Sequence, residues 1–498
     1  MNGARDLAAL LPLLIPAAAA CLLPIAALDK DQATRKWIRG AMFFTAMLAI
    51  LGSFLYVTRL WEAGHQPTFA QFRMDRLAQF GAIFLLVAAA MTVMQLWDHL
   101  HQEGWVKGET LSLLMTAVCG MMLFASTTHL MLLFLGLELF SIPLYALTAT
   151  VRLRASALEG AMKYFMTGAV ASSCFLMGAV LLYGVTGSLD VGEMGVRLGL
   201  LKGLDPLALA GAALLLLGFL FKVSAVPFHQ WTPDAYEGAP HPVAAFMSVA
   251  TKGMTFLALL RVFTAVSGGG EGLLGVKLRT AMALAAVLTM VAGNLTALVQ
   301  TNVKRMLAYS SISHAGYLLL AFVAATPMAF TGLVFYLVAY LAMNMGAFGL
   351  LTAFGLVGER VTFDHLRGLG WKRPGLSLAA TLCLLSLAGI PPTAGFFGKY
   401  MIFKELVQAG HVGLAVLAVL ASLVSVYYYL RVPVALWLEK PKPSLEREAA
   451  EQPAVEAPFA GATVLVCGLL TLACGFLQTF LVDGFAARVV RDCIGLVR

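Results

Sequence analysis

The stretch FKVSAVPFHQWTPDAYEGAPHP, residues 221–242, decides what kind of molecule this is. It follows LALAGAALLLLGFL at 207–220, a run with no charge in it. Lys222 then stands at the end of that run, and Pro227, Pro233, Pro240 and Pro242 come after it. An ammonium is costly in such surroundings unless something there needs it, and prolines interrupt a helix.

Working outward, 60% of the 498 residues are hydrophobic and 12% are charged. Ordinary soluble domains carry roughly 25% charged residues, so this chain lacks the polar surface of a water-soluble fold. Apolar runs of about twenty residues, enough to cross a hydrocarbon layer of roughly 30 Å as helix, recur along its whole length. About fourteen of them are separated by charged or Gly/Pro-rich breaks, which predicts an all-α polytopic membrane protein. The first, LAALLPLLIPAAAACLLPIAAL at 7–28, is followed and not preceded by Lys30, Arg35, Lys36 and Arg39. That order reads as a retained span and not as a cleaved signal.

Seven cysteines stand singly with no C-x-x-C among them, which excludes iron–sulfur, zinc and disulfide frameworks on this chain. The formal charge of +8 reads as the Lys/Arg excess of cytoplasmic loops, and not as a nucleic-acid footprint. With an even number of spans, that excess puts both termini on the outer, periplasmic side of a bacterial inner membrane. GEGLLG at 270–275 resembles a dinucleotide fingerprint but has no strand before it, so it carries no cofactor assignment.

Four ionisable groups fall at membrane depth: Glu138, Lys222, Lys252 and Lys399. Glu138 is about ten residues, or roughly 15 Å, into its helix. Each buried charge costs about 2.5–3.5 kcal/mol on the insertion scale unless it meets a partner or water. Pairing alone cannot neutralise three lysines with one carboxylate. Ammonium groups without a counter-ion in low dielectric give up a proton more readily than in water, so the pattern points to proton transfer. A carboxylate at Glu138 within about 4 Å of Lys222 would hold the proton there; separating the two would release it towards Lys252 and Lys399. His229 and His314 titrate near neutrality and can bridge gaps, and each is equally readable as a packing residue. Arg261 and Lys163, near the ends of their spans, can snorkel to the headgroups.

Two spans are broken in similar ways. Lys222 precedes Pro227 in the seventh, and LAGIPPTAGFFGKYMIF in the twelfth sets Pro391, Pro392, Gly395 and Gly398 before Lys399. The lysines are 177 residues apart, and the same shift carries Glu138 to a position beside His314. Interrupted, ionisable spans at matching places are the mark of an inverted repeat in transporters. The organisation expected is an N-terminal three-helix segment (1–105), two five-helix repeats (106–266 and 267–438), a polar cytoplasmic linker (439–458) and a last span (459–498).

LELFSIPLYAL, FKVSAVPFHQWTPDAYEGAP, NVKRMLAYSSISHAGY and LAGIPPTAGFFGKYMIF, four motifs in order over roughly residues 110–430, together resemble the antiporter-like subunits of respiratory complex I. Lysine at 399, where subunit M of that family has glutamate, and WTPD in place of WLPD point to the subunit N branch. The chain also leaves no room for the lateral helix of subunit L. The resemblance implies that Glu138 and Lys222 match the family's Glu–Lys pair, Lys252 its central lysine and Lys399 the lysine of the second broken helix. Lys163 and His229 match further polar positions along the family's membrane axis. It also implies a division of labour, with FMN, iron–sulfur clusters, NADH and quinone on other subunits, no cofactor here, and subunit M, the small spanning subunits and lipids as neighbours. Two other readings stay open: a subunit of a cation/proton antiporter, and a structural anchor in a hydrogenase-type complex.

Overall fold

The computed structural model describes residues 3–26, 32–102, 108–151, 154–201, 203, 205–267, 272–356, 361–443 and 457–495. The chain is helical almost throughout. In order run α1 (Gly3–Ala26), α2 (Gln32–Glu62), α3 (Arg76–Gln102), α4 (Gly108–Ala125), α5 (Leu130–Thr148), α6 (Ala155–Thr186), α7 (Val191–Gly199), α8 (Pro206–Lys222), α9 (Trp231–Gly238), α10 (His241–Phe246) and α11 (Lys252–Val266). Next come α12 (Leu273–Leu298), α13 (Val303–Ala324), α14 (Pro327–Ala353), α15 (Phe363–Leu366), α16 (Leu369–Lys372), α17 (Pro374–Ala388), α18 (Ala394–Gln408), α19 (Val412–Trp437) and α20 (Pro458–Phe476). A two-residue hairpin, Thr68–Phe69 with Phe72–Arg73, is the one sheet among the described residues.

Twelve of the described helical stretches are long and apolar enough to cross a membrane, with α10 and α11 counted as one continuous span, His241–Val266. Two shorter apolar helices, α8 and α17, complete the fourteen that the sequence predicts. They are the first halves of the interrupted spans. α8 stops at Lys222 and α9 resumes at Trp231; α17 stops at Ala388 and α18 resumes at Ala394. The second stop uses Gly389 at φ 86°, a left-handed conformation that glycine adopts without penalty. Both breaks contain a cis X-Pro peptide, Val226–Pro227 and Pro391–Pro392. Local sequence also sets the starts: Asp205 caps α8, accepting from the backbone N–H of Leu207 at 2.8 Å and Ala208 at 3.0 Å, with Pro206 following. The linker expected at 439–458 lies outside the described residues from 444 to 456.

The centre of the bundle is α10–α11, α13 and α14, whose side chains are almost all buried. α6, α12 and α19 form part of the rim and turn large apolar side chains such as Val170, Leu284 and Leu423 outward, as lipid requires. Close approach rests on small residues. A Cβ on Gly136 of α5 would strike the backbone of Phe124 in α4, and one on Gly160 of α6 would strike the carbonyl of Asp234 in α9. Gly168 faces the ring of Tyr145, so Gly160 and Gly168 are both close-packing positions.

Arg261 does not snorkel. It is buried and makes a two-pronged ion pair with Asp75, Nη1 to Oδ2 at 2.6 Å and Nη2 to Oδ1 at 2.8 Å, and also donates to the carbonyl of Ala125 at 3.2 Å. The pair ties the start of α3 to α11 and satisfies the guanidinium inside the protein, which removes any need to reach the headgroups. Asp75→Ala strands that charge and is expected to cost about 3–5 kcal/mol, whereas Asp75→Leu combined with Arg261→Met recovers most of the loss. Thermal unfolding of the detergent-purified protein checks both.

Candidate functional site

Lys222 is the last residue of α8 and is buried. Its ammonium donates to Ser141 Oγ at 2.7 Å. Four rings surround it, Phe140 at 5.2 Å, Phe221 at 5.5 Å, Tyr164 at 5.6 Å and Tyr145 at 5.7 Å from their centroids. Such faces attract a cation when water is excluded. Tyr164 in turn stacks on Trp231, with centroids 4.0 Å apart and planes 7° off parallel, so the first residue of α9 forms the back wall of this box.

The expected contact between Glu138 and Lys222 is absent: among the described residues no ion pair within 4.0 Å joins them. Ser141 stands in the carboxylate's place. It lies three residues after Glu138 on α5, hence on the same side one turn away. The carboxylate's charge still acts on the ammonium, while its Oε1 is buried without a hydrogen-bond partner.

Lys252 opens α11 directly after a π-helical turn, Met247–Thr251, of the kind that often marks a functional position. Its ammonium donates to both the carbonyl and the hydroxyl of Ser311, each at 2.6 Å. Tyr340 donates to the same hydroxyl at 2.9 Å. One turn further along α13, His314 is hydrogen bonded through Nδ1 to the Tyr336 hydroxyl at 2.5 Å and through Nε2 to the Tyr429 hydroxyl at 2.9 Å, and its ring lies 5.3 Å from that of Tyr340. Another turn on, Tyr317 meets the His314 ring at 5.7 Å and lies under the ammonium of Lys399 at 4.9 Å. Ser311, His314 and Tyr317 are spaced three apart and so line one face of α13. That face joins Lys252 to Lys399.

Lys399 reaches back across the second break to the C-terminal carbonyls of α17, Leu387 at 3.0 Å and Ala388 at 3.3 Å, and to Ser422 Oγ at 2.9 Å. The chain interruption frees these carbonyls, and the negative end of a half-helix favours a cation. Lys222 lies before its break and Lys399 after, yet both sit at the C-terminal end of a first half-helix, where that dipole points. Among the described residues, Lys252 and Lys399 have only neutral oxygens as hydrogen-bond partners.

Two expected residues lie apart. Lys163 is half exposed on α6 and pairs with Asp234 at 2.7 Å and Glu159 at 2.6 Å. Arg305 of α13 joins Asp234 at 2.7 Å and Glu237 at 2.6 Å, so Lys163 belongs to an ion network that laces α6, α9 and α13. His229 is half-buried in the turn between α8 and α9, its Nδ1 without a hydrogen-bond partner, and it bonds to none of the buried lysines. The sequence reading missed Ser141, Ser311 and Ser422, and the tyrosines around His314. The i, i+3 spacing in AYSSISHAGY was the available signal.

The chain matches the family described as "NADH:quinone oxidoreductase/Mrp antiporter, TM" over residues 126–425. It is 42% identical over 428 residues to NADH-quinone oxidoreductase subunit N of Salinibacter ruber, covering 84% of each chain. The subunit N of Trichlorobacter lovleyi is likewise 42% identical, over 407 residues that make up 80% of this chain and 82% of that one. A chain of respiratory complex I from Thermus thermophilus superposes with a TM-score of 0.80 at 37% identity, over 96% of this chain and 99% of that one. A chain of the Mrp complex from Dietzia shares the fold at a TM-score of 0.80 and 21% identity, over 99% of each. The buried lysines, the two broken helices and the serine and histidine stripe of α13 are therefore features of a member of the NADH:quinone oxidoreductase/Mrp antiporter transmembrane family, to which this chain belongs.

Proposed function

We propose that this chain is the subunit N-type proton-translocating module of a bacterial NADH:quinone oxidoreductase, moving protons through the membrane while redox chemistry proceeds elsewhere in the complex. The observation that carries the reading is the line from Lys252 through Ser311, Tyr340, His314 and Tyr317 to Lys399. Its two ends are ammonium groups held by neutral oxygens, so each is able to lose a proton without leaving a bare counter-ion behind. Lys222 feeds this line from the other side. Its proton is held by Ser141 and by the field of Glu138, and displacement of the carboxylate releases it. Between the two sets, Tyr236 meets Trp231 at 6.2 Å and keeps a buried hydroxyl without a hydrogen-bond partner.

In this reading residues 106–266 and 267–438 are the two repeats, 1–105 precede them and 459–498 follow the linker. FMN, iron–sulfur clusters, NADH and quinone belong to other subunits, and this chain lies beside subunit M and the small spanning subunits. Both termini face the periplasm. Cysteines introduced as Gly3→Cys and Gly495→Cys are then labelled by an impermeant maleimide in intact spheroplasts and protected in inverted vesicles.

The decisive experiment is NADH-driven acidification of inverted native vesicles, with the assembled complex quantified in each strain. Lys252→Ala and Lys399→Ala are expected to lower acidification about tenfold or more, the size of effect seen when a positioned proton carrier is lost. Unchanged acidification in both, or sodium/proton exchange that is lost instead, refutes the reading in favour of packing or antiport. Ser141→Ala removes a hydrogen bond to a charged group, worth about 1.5–3 kcal/mol. It is expected to slow acidification while leaving the complex assembled.

A further inference from the structure

Five buried polar atoms without a hydrogen-bond partner lie along one file that the line above does not use: both ring nitrogens of His99, Nδ1 of His241, Oε1 of Gln95 and Oδ1 of Asn344. All four side chains are at most 2% exposed. Folded proteins leave few such atoms unpartnered, and those they keep are served by ordered water.

The file has a beginning and an end. His99 sits in the last turn of α3 and His241 opens α10, their rings edge to face with centroids 5.5 Å apart. His241 Nε2 is hydrogen bonded to the carbonyl of Leu356, just past the end of α14, so the pair lies immediately below one end of the bundle. Lys304 and Arg154, at the starts of α13 and α6, are the cations whose charge reaches both rings. Neighbouring Asp98 is turned away to accept from the backbone N–H of Ala460 at 2.7 Å, and the His101 ring packs against Trp97, centroids 4.4 Å apart and planes tilted by 54°.

From that end the file leads inward. Gln95 is one turn deeper on the same face of α3 as His99. It donates to the carbonyl of Met345 at 3.1 Å, and Gly349 leaves it room, since a Cβ there would come within 2.9 Å of the amide nitrogen. Asn344, beside Met345, donates to the carbonyl of Tyr340 at 3.3 Å, and Tyr340 reaches Ser311, the partner of Lys252.

We propose that His99 and His241 are the proton-uptake station of this subunit, passing protons through water held by Gln95 and Asn344 to the Tyr340–Ser311–Lys252 cluster. In each transfer a ring nitrogen takes a proton from water on the Lys304 side, and the other nitrogen or the neighbouring ring returns one to water on the Gln95 side. No net charge stays behind. The proposal rests on the proton-translocating reading above, and Lys252→Ala serves as its control.

The test uses the whole complex in inverted native vesicles, reading acidification per NADH oxidised at equal complex abundance. His99→Phe and the isosteric Gln95→Met are each expected to lower that ratio about tenfold, as for loss of a positioned proton carrier. His99→Ala, which opens a space, is expected to regain acidification on addition of imidazole, a response a packing role would not give. Lys252→Ala losing acidification while His99→Phe and Gln95→Met keep the wild-type ratio overturns the uptake file alone. All three matching the wild type overturns the translocating reading with it. A loss in His99→Ala that imidazole does not restore assigns the ring to packing and also overturns the proposal.

Discussion

Hydrocarbon offers no hydrogen bonds, and this one constraint shapes every unusual feature of the molecule. A continuous helix satisfies its own backbone; a broken one exposes carbonyls that must be satisfied from within. At the second break the ammonium of Lys399 occupies the carbonyls of Leu387 and Ala388. The lysine and the interruption thus solve each other's problem, which is why PPTAGFFGK holds both within a few residues. At the first break the indole of Trp231 donates to the carbonyl of Phe221 at 3.3 Å, and Lys222 turns instead to Ser141.

Around these breaks the bundle divides into parts that fix positions and parts that carry the buried lysines and their hydroxyl partners. The Arg261–Asp75 pair and the glycine contacts of α4 with α5 and α6 with α9 set helix spacing. The Lys163–Asp234–Arg305–Glu237 network fixes α9, the second half of the first broken span, between α6 and α13. Against that frame α13 presents Ser311, His314 and Tyr317 as one stripe. Its two neighbouring rows are polar and aromatic, from α14 and α19, so the stripe is hydrogen bonded along its length and shielded from lipid.

Much of this was legible in the sequence. Charge is so expensive in a span that Lys222, Lys252 and Lys399 stand out without any alignment, and proline and glycine beside two of them disclose the breaks. Partner identity was not legible. A serine in an apolar helix is common, and only the packing of α5 against α8 reveals that Ser141, and not Glu138, bonds to Lys222. Arg261 was misread for the same reason, because its partner is 186 residues away. Lys163, whose position near the start of its span lets it reach the headgroups, pairs instead with Asp234 and Glu159, partners that its place in the sequence does not disclose. His99 gave no signal, since the value of a lone histidine at a helix end depends on what α10 brings beside it.

His314 has a consequence for turnover. A neutral imidazole donates from one nitrogen and accepts at the other, so the hydroxyls of Tyr336 and Tyr429 cannot play the same part: one gives a hydrogen to the ring and the other receives one. A proton that crosses the ring leaves the tautomer and both hydroxyls reversed. The crossing point is then set against a second passage in the same direction until all three groups rotate back. On the proton-translocating reading proposed above, a line built this way counts: it carries charge singly and resets between loads, as a ratchet tooth does and an open pore does not.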